Sequence, residues 1–353
     1  MPGRLGLDAE RSSRRLRGGR AHAALLDGRS NVVPERLAAL INTRRELLEG
    51  LGQHPEWAAM EAELADLLNA LLNSESLRLL RIDRHTPTSV LDQIVKYEAV
   101  HRIRDSRDLE RRMAEDRRCY AFFHPALPGE PLIFTELALT HGMSSNAQAL
   151  LDSESPTVDP STCNCAIFYS ISSCHEGLRG IPLGNALIGQ VADELGRAFP
   201  ELKTFATLSP VLGFRSWLTN LARSRPDGAA SASAAAALTS LERSDWYADV
   251  GASAEVERQL VPLCAYYLLR VKRDNQPHDP VARFHLRNGA RLERINWLSD
   301  TSVAGMRRAA GLMVNYVYRC NTPRHEHDAF TSTRHMNASG QVKRLAGQAS
   351  LLF

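Results

Sequence analysis

Residues Ala166 to Phe214 read AIFYSISSCHEGLRGIPLGNALIGQVADELGRAFPELKTFATLSPVLGF, and the hydrophobic period changes twice along them. AIFYS is a short apolar run of β-branched and aromatic residues, the pattern of a buried strand. Gly177, Gly180 and Gly184 then interrupt the chain before a period of 3.6 begins at Asn185, with Ala186, Leu187, Val191, Leu195 and Ala198 on one helical face. TFATLS (204–209) restores a strand. Glycines between a strand and a helix start let backbone N–H groups approach a ligand, and the positive helix end favours a pyrophosphate. Arg179 adds a cation beside it. The spacing GLRGIPLG is neither G-x-G-x-x-G nor G-x-x-x-x-G-K-[ST], which disfavours a dinucleotide or Walker-type site. By spacing alone the loop suggests a phosphate site and no more.

The surrounding words are more specific. LTHGMSSNAQ (139–148), AIFYSIS, GLRGIPLG, LSPVLGF, PVARFHLRNGARLERINWLSDTS (280–302) and GLMVNYVY (311–318) follow in an order and at separations that resemble the malonyl-CoA decarboxylase family. The resemblance runs from Glu35 to the C-terminus and is strongest from Phe122 to Tyr318. It implies an α+β chain: an N-terminal all-α helical bundle domain, then a GNAT-like (acyl-CoA N-acyltransferase-like) mixed-sheet domain whose strand-loop-helix holds the CoA pyrophosphate. The implied activity is that of a carboxy-lyase in fatty-acid and malonate metabolism, converting malonyl-CoA to acetyl-CoA and CO2. In that family the helical domain is usually longer at its N-terminal end than the segment here, where a basic tail stands instead.

Composition sets wider bounds. A chain of 353 residues with 44% hydrophobic and 24% charged residues has room for two packed cores. The net charge of +3 is too small to imply nucleic acid, and much of it comes from RSSRRLRGGR (11–20). That run is Arg-rich and acid-poor like a mitochondrial presequence but lacks an amphipathic helix, so residues 1–33 read as a flexible basic tail. No apolar run reaches the ~18 residues of a membrane span and no secretion signal is visible, so a cytoplasmic protein is expected. The six cysteines at 119, 163, 165, 174, 264 and 320 show no C-x-x-C pair and read as reduced thiols. Cys163-Asn164-Cys165 and His325-Glu326-His327-Asp328 read as ordinary strand-edge and loop residues, and no metal is expected.

Residues 34–116 read as helical. Leu37, Leu40, Ile41, Leu47 and Leu48 form one stripe and Trp57, Met60, Leu64, Leu67, Leu68 and Leu71 a second, with a break from Gly52 to Pro55. Thr86-Pro87-Thr88-Ser89 reads as a helix start, and Asp105 or Ser106 as another cap. Such faces want partners, so this segment is expected to mediate a homo-oligomer. From residue 117 to 353 the texture becomes strands divided by helices: CYAFF (119–123), PLIFTELAL (131–139), AIFYS, TFATLS, ARFHL and RLERINW. Between them, Ser224 to Leu238 is Ala- and Ser-rich and reads as a surface excursion or weak helix.

Decarboxylating a malonyl thioester requires stabilising an enolate, desolvating a carboxylate and delivering a proton to carbon. Hydrogen bonds suffice for that, so no cofactor is demanded and CoA enters as part of the substrate. By local sequence His285 reads as a satisfied core histidine on a strand ending at Asn288-Gly289, and Ser209, at the end of TFATLS before Pro210, as a turn residue. The resemblance instead implies that His285 is the proton donor and Ser209 the catalytic serine that holds the malonyl group. It implies CoA binding by Arg179, Gly180, Ile181, Pro182, Leu183, Gly184 and Asn185. Supporting roles are open for Ser144 and Ser145 toward the acyl group, and for Asn296, Asp300, Asn315 and Tyr316 around His285; capping or backbone satisfaction explains them equally. His141 receives no role. Two other functions fit the same residues: a GNAT-type acyltransferase, and a non-catalytic CoA-binding scaffold.

Overall fold

The computed structural model describes residues 34–73, 75–224, 228–243, 246–318 and 337–353. The basic segment 1–33, Cys320 and His325 to Asp328 lie outside them. The chain divides into two compact units, neither continuous in sequence. The first takes the described residues up to Tyr97 with Tyr120–Phe134 and Ser172–Leu187; the second takes Glu98–Cys119, Thr135–Ile171 and Ile188–Phe353.

In the first unit, helices α1 (Pro34–Gly50) and α2 (Ala58–Leu71) bury Leu37, Ile41, Leu47, Leu64 and Leu68, the two stripes read from the sequence. Helix α3 (Thr88–Tyr97) buries Val90 and Ile94. The unit is not all-α: strand β1 (Arg78–Ile82) separates α2 from α3. In RLLRI only Ile82 is buried, Leu79 is half-buried and Leu80 is exposed, so its leucines form no buried helical stripe.

The second unit is built on a mixed sheet. Its strands are drawn from β2 (Arg117–Phe123), β3 (Pro131–Thr140), β4 (Cys165–Ser173), β5 (Thr204–Thr207), β6 (Ser209–Pro210), β9 (Arg291–Asn296) and β10 (Met313–Tyr318), with a separate small ribbon of β7 (Lys272–Arg273) and β8 (Gln276–Pro277). β4 and β5 are parallel, with Cys165 opposite Thr204 and Phe168 opposite Thr207. The connection between parallel strands is helix α6 (Leu183–Ala198), which starts two residues before the expected Asn185. β10 runs antiparallel to β5, β6 and β9.

Helices α7 (Phe214–Ser224), α8 (Ala229–Glu242), α9 (Val250–Arg270) and α12 (Gly340–Ser350) cover a core of Phe214, Leu218, Leu260, Leu263, Tyr267, Leu292, Val314, Tyr316 and Val342. The Ala-rich segment is no surface excursion. Ala234 and Ala237 are fully buried in α8, because their small side chains let helices approach closely where bulky ones would clash. Short helices α4 (Ser106–Arg112), α5 (Ala147–Leu151) and α11 (Val303–Ala309) complete the unit, α4 being capped by Asp105 accepting from the Asp108 N–H at 2.9 Å. Arg112 in α4 is buried between Asp108 and Glu136, so the charges are paired where water is excluded.

The expected strand ARFHL is a helix, α10 (Pro280–Arg287). Asp279 accepts from the N–H groups of Val281 (3.0 Å) and Ala282 (2.9 Å), and Pro280 occupies the first turn where a missing N–H costs nothing. Gly289 at φ +77° ends it.

Candidate functional site

The second unit carries a chain of side chains at the point where its central ladder is interrupted. β10 pairs Val314 with Ser209 on β6 and Val317 with Ala206 on β5, leaving Asn315 and Tyr316 opposite Thr207 and Leu208. The β9–β10 register shifts at the same place, between Asn315 and Tyr316. Ser209 therefore does not end a continuous strand TFATLS. β5 stops at Thr207, and Ser209 opens the two-residue β6. Backbone that would have paired is bonded by side chains instead: Asn315 Nδ2 donates to Thr207 O (2.8 Å), and the Tyr316 N–H donates to Thr207 Oγ1 (3.3 Å).

His285, in the last turn of α10, brings Nε2 to 3.1 Å from Ser209 Oγ, and its Nδ1 lies 2.8 Å from the Tyr318 hydroxyl. Ser209 Oγ donates to Thr207 Oγ1 at 2.8 Å. The distances fit a neutral imidazole protonated on Nε2. With the serine proton directed at Thr207, Ser209 Oγ accepts from His285 Nε2–H, which leaves Nδ1 to accept from Tyr318 O–H. The imidazole stacks on the Tyr316 ring, centroids 4.4 Å apart and 24° between planes. Burial pushes the His285 pKa down from 6.5 to about 3, so the ring is neutral across the physiological range and holds one N–H aimed at the serine. Burial likewise pushes the Tyr318 hydroxyl far up, keeping it a proton donor.

Asp279 anchors this arrangement from below. It is fully buried and, besides capping α10, accepts from the Gly213 N–H (3.3 Å) and the Tyr267 hydroxyl (3.5 Å). A displaced cap would move the helix that carries His285.

The sequence-derived supporting residues separate on inspection. Tyr316 touches His285 directly. Asn315 is fully buried and uses its whole amide, donating to Thr207 O and Ser144 O (3.0 Å) and accepting from Asn296 Nδ2 (2.8 Å) and Arg294 Nε (3.2 Å). Asn296 thus reaches the pair through Asn315 and Thr207. Asp300 does not join them: it accepts from Gln148 Nε2 (2.9 Å) and the Ser302 N–H (3.0 Å), in the turn that leads to α11. Ser144 is half-buried, and Ser145 and His141 are exposed. Reading from sequence missed Tyr318 and Asp279. The i, i+2 spacing of Tyr316 and Tyr318 on one strand face was the available signal for the first, and Asp-Pro before an apolar run for the second.

The glycine-broken loop belongs to the first unit. A turn at Glu176–Leu178 leads into Arg179 and Gly180, both exposed, with Gly180 at φ +85°. Ile181 and Asn185 are half-buried, Pro182 exposed, and Leu183 and Gly184 buried at the start of α6. The first-turn N–H groups of a helix have no intrahelical acceptor, so Gly184 and Asn185 present donors there. The loop is held by α1. Arg44, 4% exposed, donates to Gly177 O (2.6 Å) while its other nitrogens meet Glu61 Oε1 on α2 (2.7 and 3.0 Å). A Cβ at Gly177 would lie 2.0 Å from Ile41 O, so only glycine fits.

Among the described residues no group of three His, Cys, Asp or Glu is placed to hold a metal, and no helix is long and apolar enough to cross a membrane. Cys119, Cys163, Cys165, Cys174 and Cys264 are buried.

Residues 75–351 match the family model for the malonyl-CoA decarboxylase C-terminal domain. Mitochondrial malonyl-CoA decarboxylase of the goose Anser anser anser is 36% identical over 88% of this chain and 67% of its own, and that of Mus musculus 34% identical over 95% and 71%. The crystal structure of malonyl-CoA decarboxylase from Rhodopseudomonas palustris superposes with a TM-score of 0.80 at 42% identity, covering 88% of this chain and 76% of that one. With a family model over most of its length and relatives this similar across most of theirs, the chain belongs to the malonyl-CoA decarboxylase family, a family of carboxy-lyases.

Proposed function

We propose that this chain converts malonyl-CoA to acetyl-CoA and CO2 in fatty-acid and malonate metabolism, without metal or organic cofactor, through the Ser209–His285–Tyr318 relay. The observation that carries the reading is the 3.1 Å approach of Ser209 Oγ to a buried, neutral His285 whose other nitrogen meets Tyr318.

In this mechanism the site holds the malonyl carboxylate poorly solvated, so breaking its C–C bond removes a badly hydrated charge. The electron pair flows into the thioester carbonyl, giving an enolate stabilised by hydrogen bonds and CO2 as the leaving molecule. When substrate binds, Ser209 turns its proton from Thr207 Oγ1 to the acyl group, positioning it without forming an acyl-enzyme. The enolate carbon then takes the His285 Nε2 proton. Nδ1 takes the Tyr318 proton as Nε2–H departs, so the imidazole passes between neutral tautomers, and the resting state returns when Nδ1–H goes back to the phenolate and Nε2 takes a proton from solvent. A neutral imidazole N–H is a weak acid, but a thioester enolate is a strong carbon base, and burial removes the alternative of a standing imidazolium.

The loop from Arg179 to Asn185 is assigned to the CoA pyrophosphate, through the N–H groups of Gly184 and Asn185 and the exposed Arg179 guanidinium. This reading carries the GNAT-like strand-loop-helix assignment with it. Assembly as a homo-oligomer through the helices of residues 34–116 remains part of the proposal, and sedimentation of the purified chain tests it. Incubation with malonyl-CoA beside a His285→Ala variant tests the activity. The variant should lose activity by about 10²- to 10⁴-fold while retaining CoA binding. An acyltransferase would instead acetylate an added amine, and a scaffold would bind malonyl-CoA unchanged.

A further inference from the structure

The segment between β3 and α5 has an unusual bonding pattern. Three successive carbonyls are each tied by a side chain from a different position. Gly142 O accepts from Thr140 Oγ1 (2.8 Å), Met143 O from Arg294 Nη2 (2.9 Å), and Ser144 O from Asn315 Nδ2 (3.0 Å). Gly142 itself, at φ +88°, donates its N–H to Asn164 Oδ1 at 2.7 Å. All peptide bonds described are trans, so each N–H points opposite to the carbonyl preceding it. The N–H groups of Met143, Ser144 and Ser145 are thereby directed away from the side chains that hold their carbonyls. Among the described residues none of the three has an acceptor.

A second observation concerns charge. Arg294 is half-buried on β9, spends Nε and Nη2 on Asn315 and Met143, and has no carboxylate within salt-bridge distance among the described residues. A guanidinium so placed without a counter-ion leaves positive potential beneath three free donors. The same Asn315 amide nitrogen that holds Ser144 O also holds Thr207 O, and Thr207 Oγ1 receives the Ser209 proton. The segment is thus one amide away from Thr207, which ends β5 and bonds Ser209.

We propose that Met143 to Ser145 forms an anion cradle for the acyl end of the substrate, its three N–H groups holding one negatively charged oxygen of the malonyl thioester while Arg294 fixes the loop from the carbonyl side and adds positive potential behind it. The proposal rests on the malonyl-CoA reading above and gives that site its anion-binding element. Asn315 and Arg294 act as positioning residues, since they hold the carbonyls rather than the ligand.

The test removes single N–H groups. Replacing Ser144, and separately Ser145, by its α-hydroxy acid exchanges the N–H for an ester oxygen and keeps the side chain. A thermal melt establishes that each protein is folded, and kcat, KM and the affinities for malonyl-CoA and acetyl-CoA are then measured. A lost donor to an anionic oxygen should lower kcat/KM by about ten- to a hundredfold. A rise in KM with weakened malonyl-CoA binding and unchanged acetyl-CoA binding identifies the oxygen as the carboxylate; a fall in kcat with both affinities unchanged identifies it as the enolate oxygen. Arg294→Gln should move the same parameter in the same direction. Ester proteins that melt normally and keep kcat/KM and malonyl-CoA affinity within twofold overturn the cradle. Were the unmodified protein to release no CO2, the functional reading would fall separately. Binding alone would then decide: selective loss of malonyl-CoA affinity supports the cradle and unchanged affinity overturns it.

Discussion

Replacing Tyr318 by phenylalanine removes one O–H, the group 2.8 Å from His285 Nδ1, and leaves the ring in place. In the ground state this forfeits a hydrogen bond of about 1 kcal/mol and strands a buried acceptor. The larger effect falls on the transition state, because Nδ1 becomes strongly basic only as Nε2 releases its proton. A loss of about 2–3 kcal/mol there corresponds to a fall in kcat of roughly 30- to 150-fold. KM should stay within about threefold, since the relay puts Tyr318 behind the histidine rather than against the substrate. Steady-state release of CO2 from malonyl-CoA by Tyr318→Phe supplies both numbers. Tyr316→Phe is the matched control. The Tyr316 hydroxyl is buried with no partner among the described residues, so its removal should leave kcat within about threefold and stability unchanged or slightly higher. A Tyr318→Phe protein with kcat within twofold of wild type would refute the relay, and equal losses in both variants would reduce the effect to packing.

Four further outcomes follow from the same geometry. With His285 held near pKa 3, kcat should show no inflection near 6.5 between pH 5 and 8; a bell centred there would mean an imidazolium acid. Stability has a definite sign as well. The folded state holds His285 and His101 neutral (pKa about 3 and about 4, both through burial) while the unfolded chain protonates them near 6.5. Stability should therefore fall as pH drops from 6.5 toward 4, by up to about 1.4 kcal/mol per pH unit per histidine, and urea unfolding of His101→Phe should show a shallower slope. Gly177→Ala forces a Cβ into Ile41 O and should cost about 2–3 kcal/mol by denaturant unfolding, whereas a cost below 0.5 kcal/mol would contradict the tight seating of the loop on α1. Asp279→Ala should cost about 2 kcal/mol through the lost cap and lower kcat more than KM by displacing His285, and unchanged kcat would contradict its positioning role.

Much of the framework was legible because its signals were local. Runs such as PLIFTELAL, AIFYS and RLERINW have the length and β-branched content of strands, and each is one. The leucine stripes of α1 and α2 and the cap at Asp105 were equally plain. ARFHL misled because two aromatic rings over five residues score as strand, while Asp279 and Pro280, which start a helix, lie just outside the run. RLLRI misled in the opposite sense: leucines between two leucine-rich helices read as a continuation, and five residues are too few to display a period. The Ala-rich α8 hid its burial because alanine carries little hydrophobic signal and is selected for closeness of approach.

Of the candidate site, the resemblance pointed to Ser209 and His285, and the structure places them 3.1 Å apart. No local pattern links residues 76 positions distant. Arg294 and the tied carbonyls of Met143 and Ser144 were beyond reach for the same reason: each acts through a bond to a residue far away in sequence, and only the fold brings the two together.

The most direct measurement is incubation of the purified chain with malonyl-CoA in the presence of a chelator, following acetyl-CoA and CO2 by mass spectrometry beside His285→Ala. The account predicts stoichiometric acetyl-CoA and CO2 from the wild type, undiminished by the chelator, and a rate lowered at least a hundredfold in the variant. Wild-type turnover abolished by the chelator, or a variant as fast as the wild type, would contradict it.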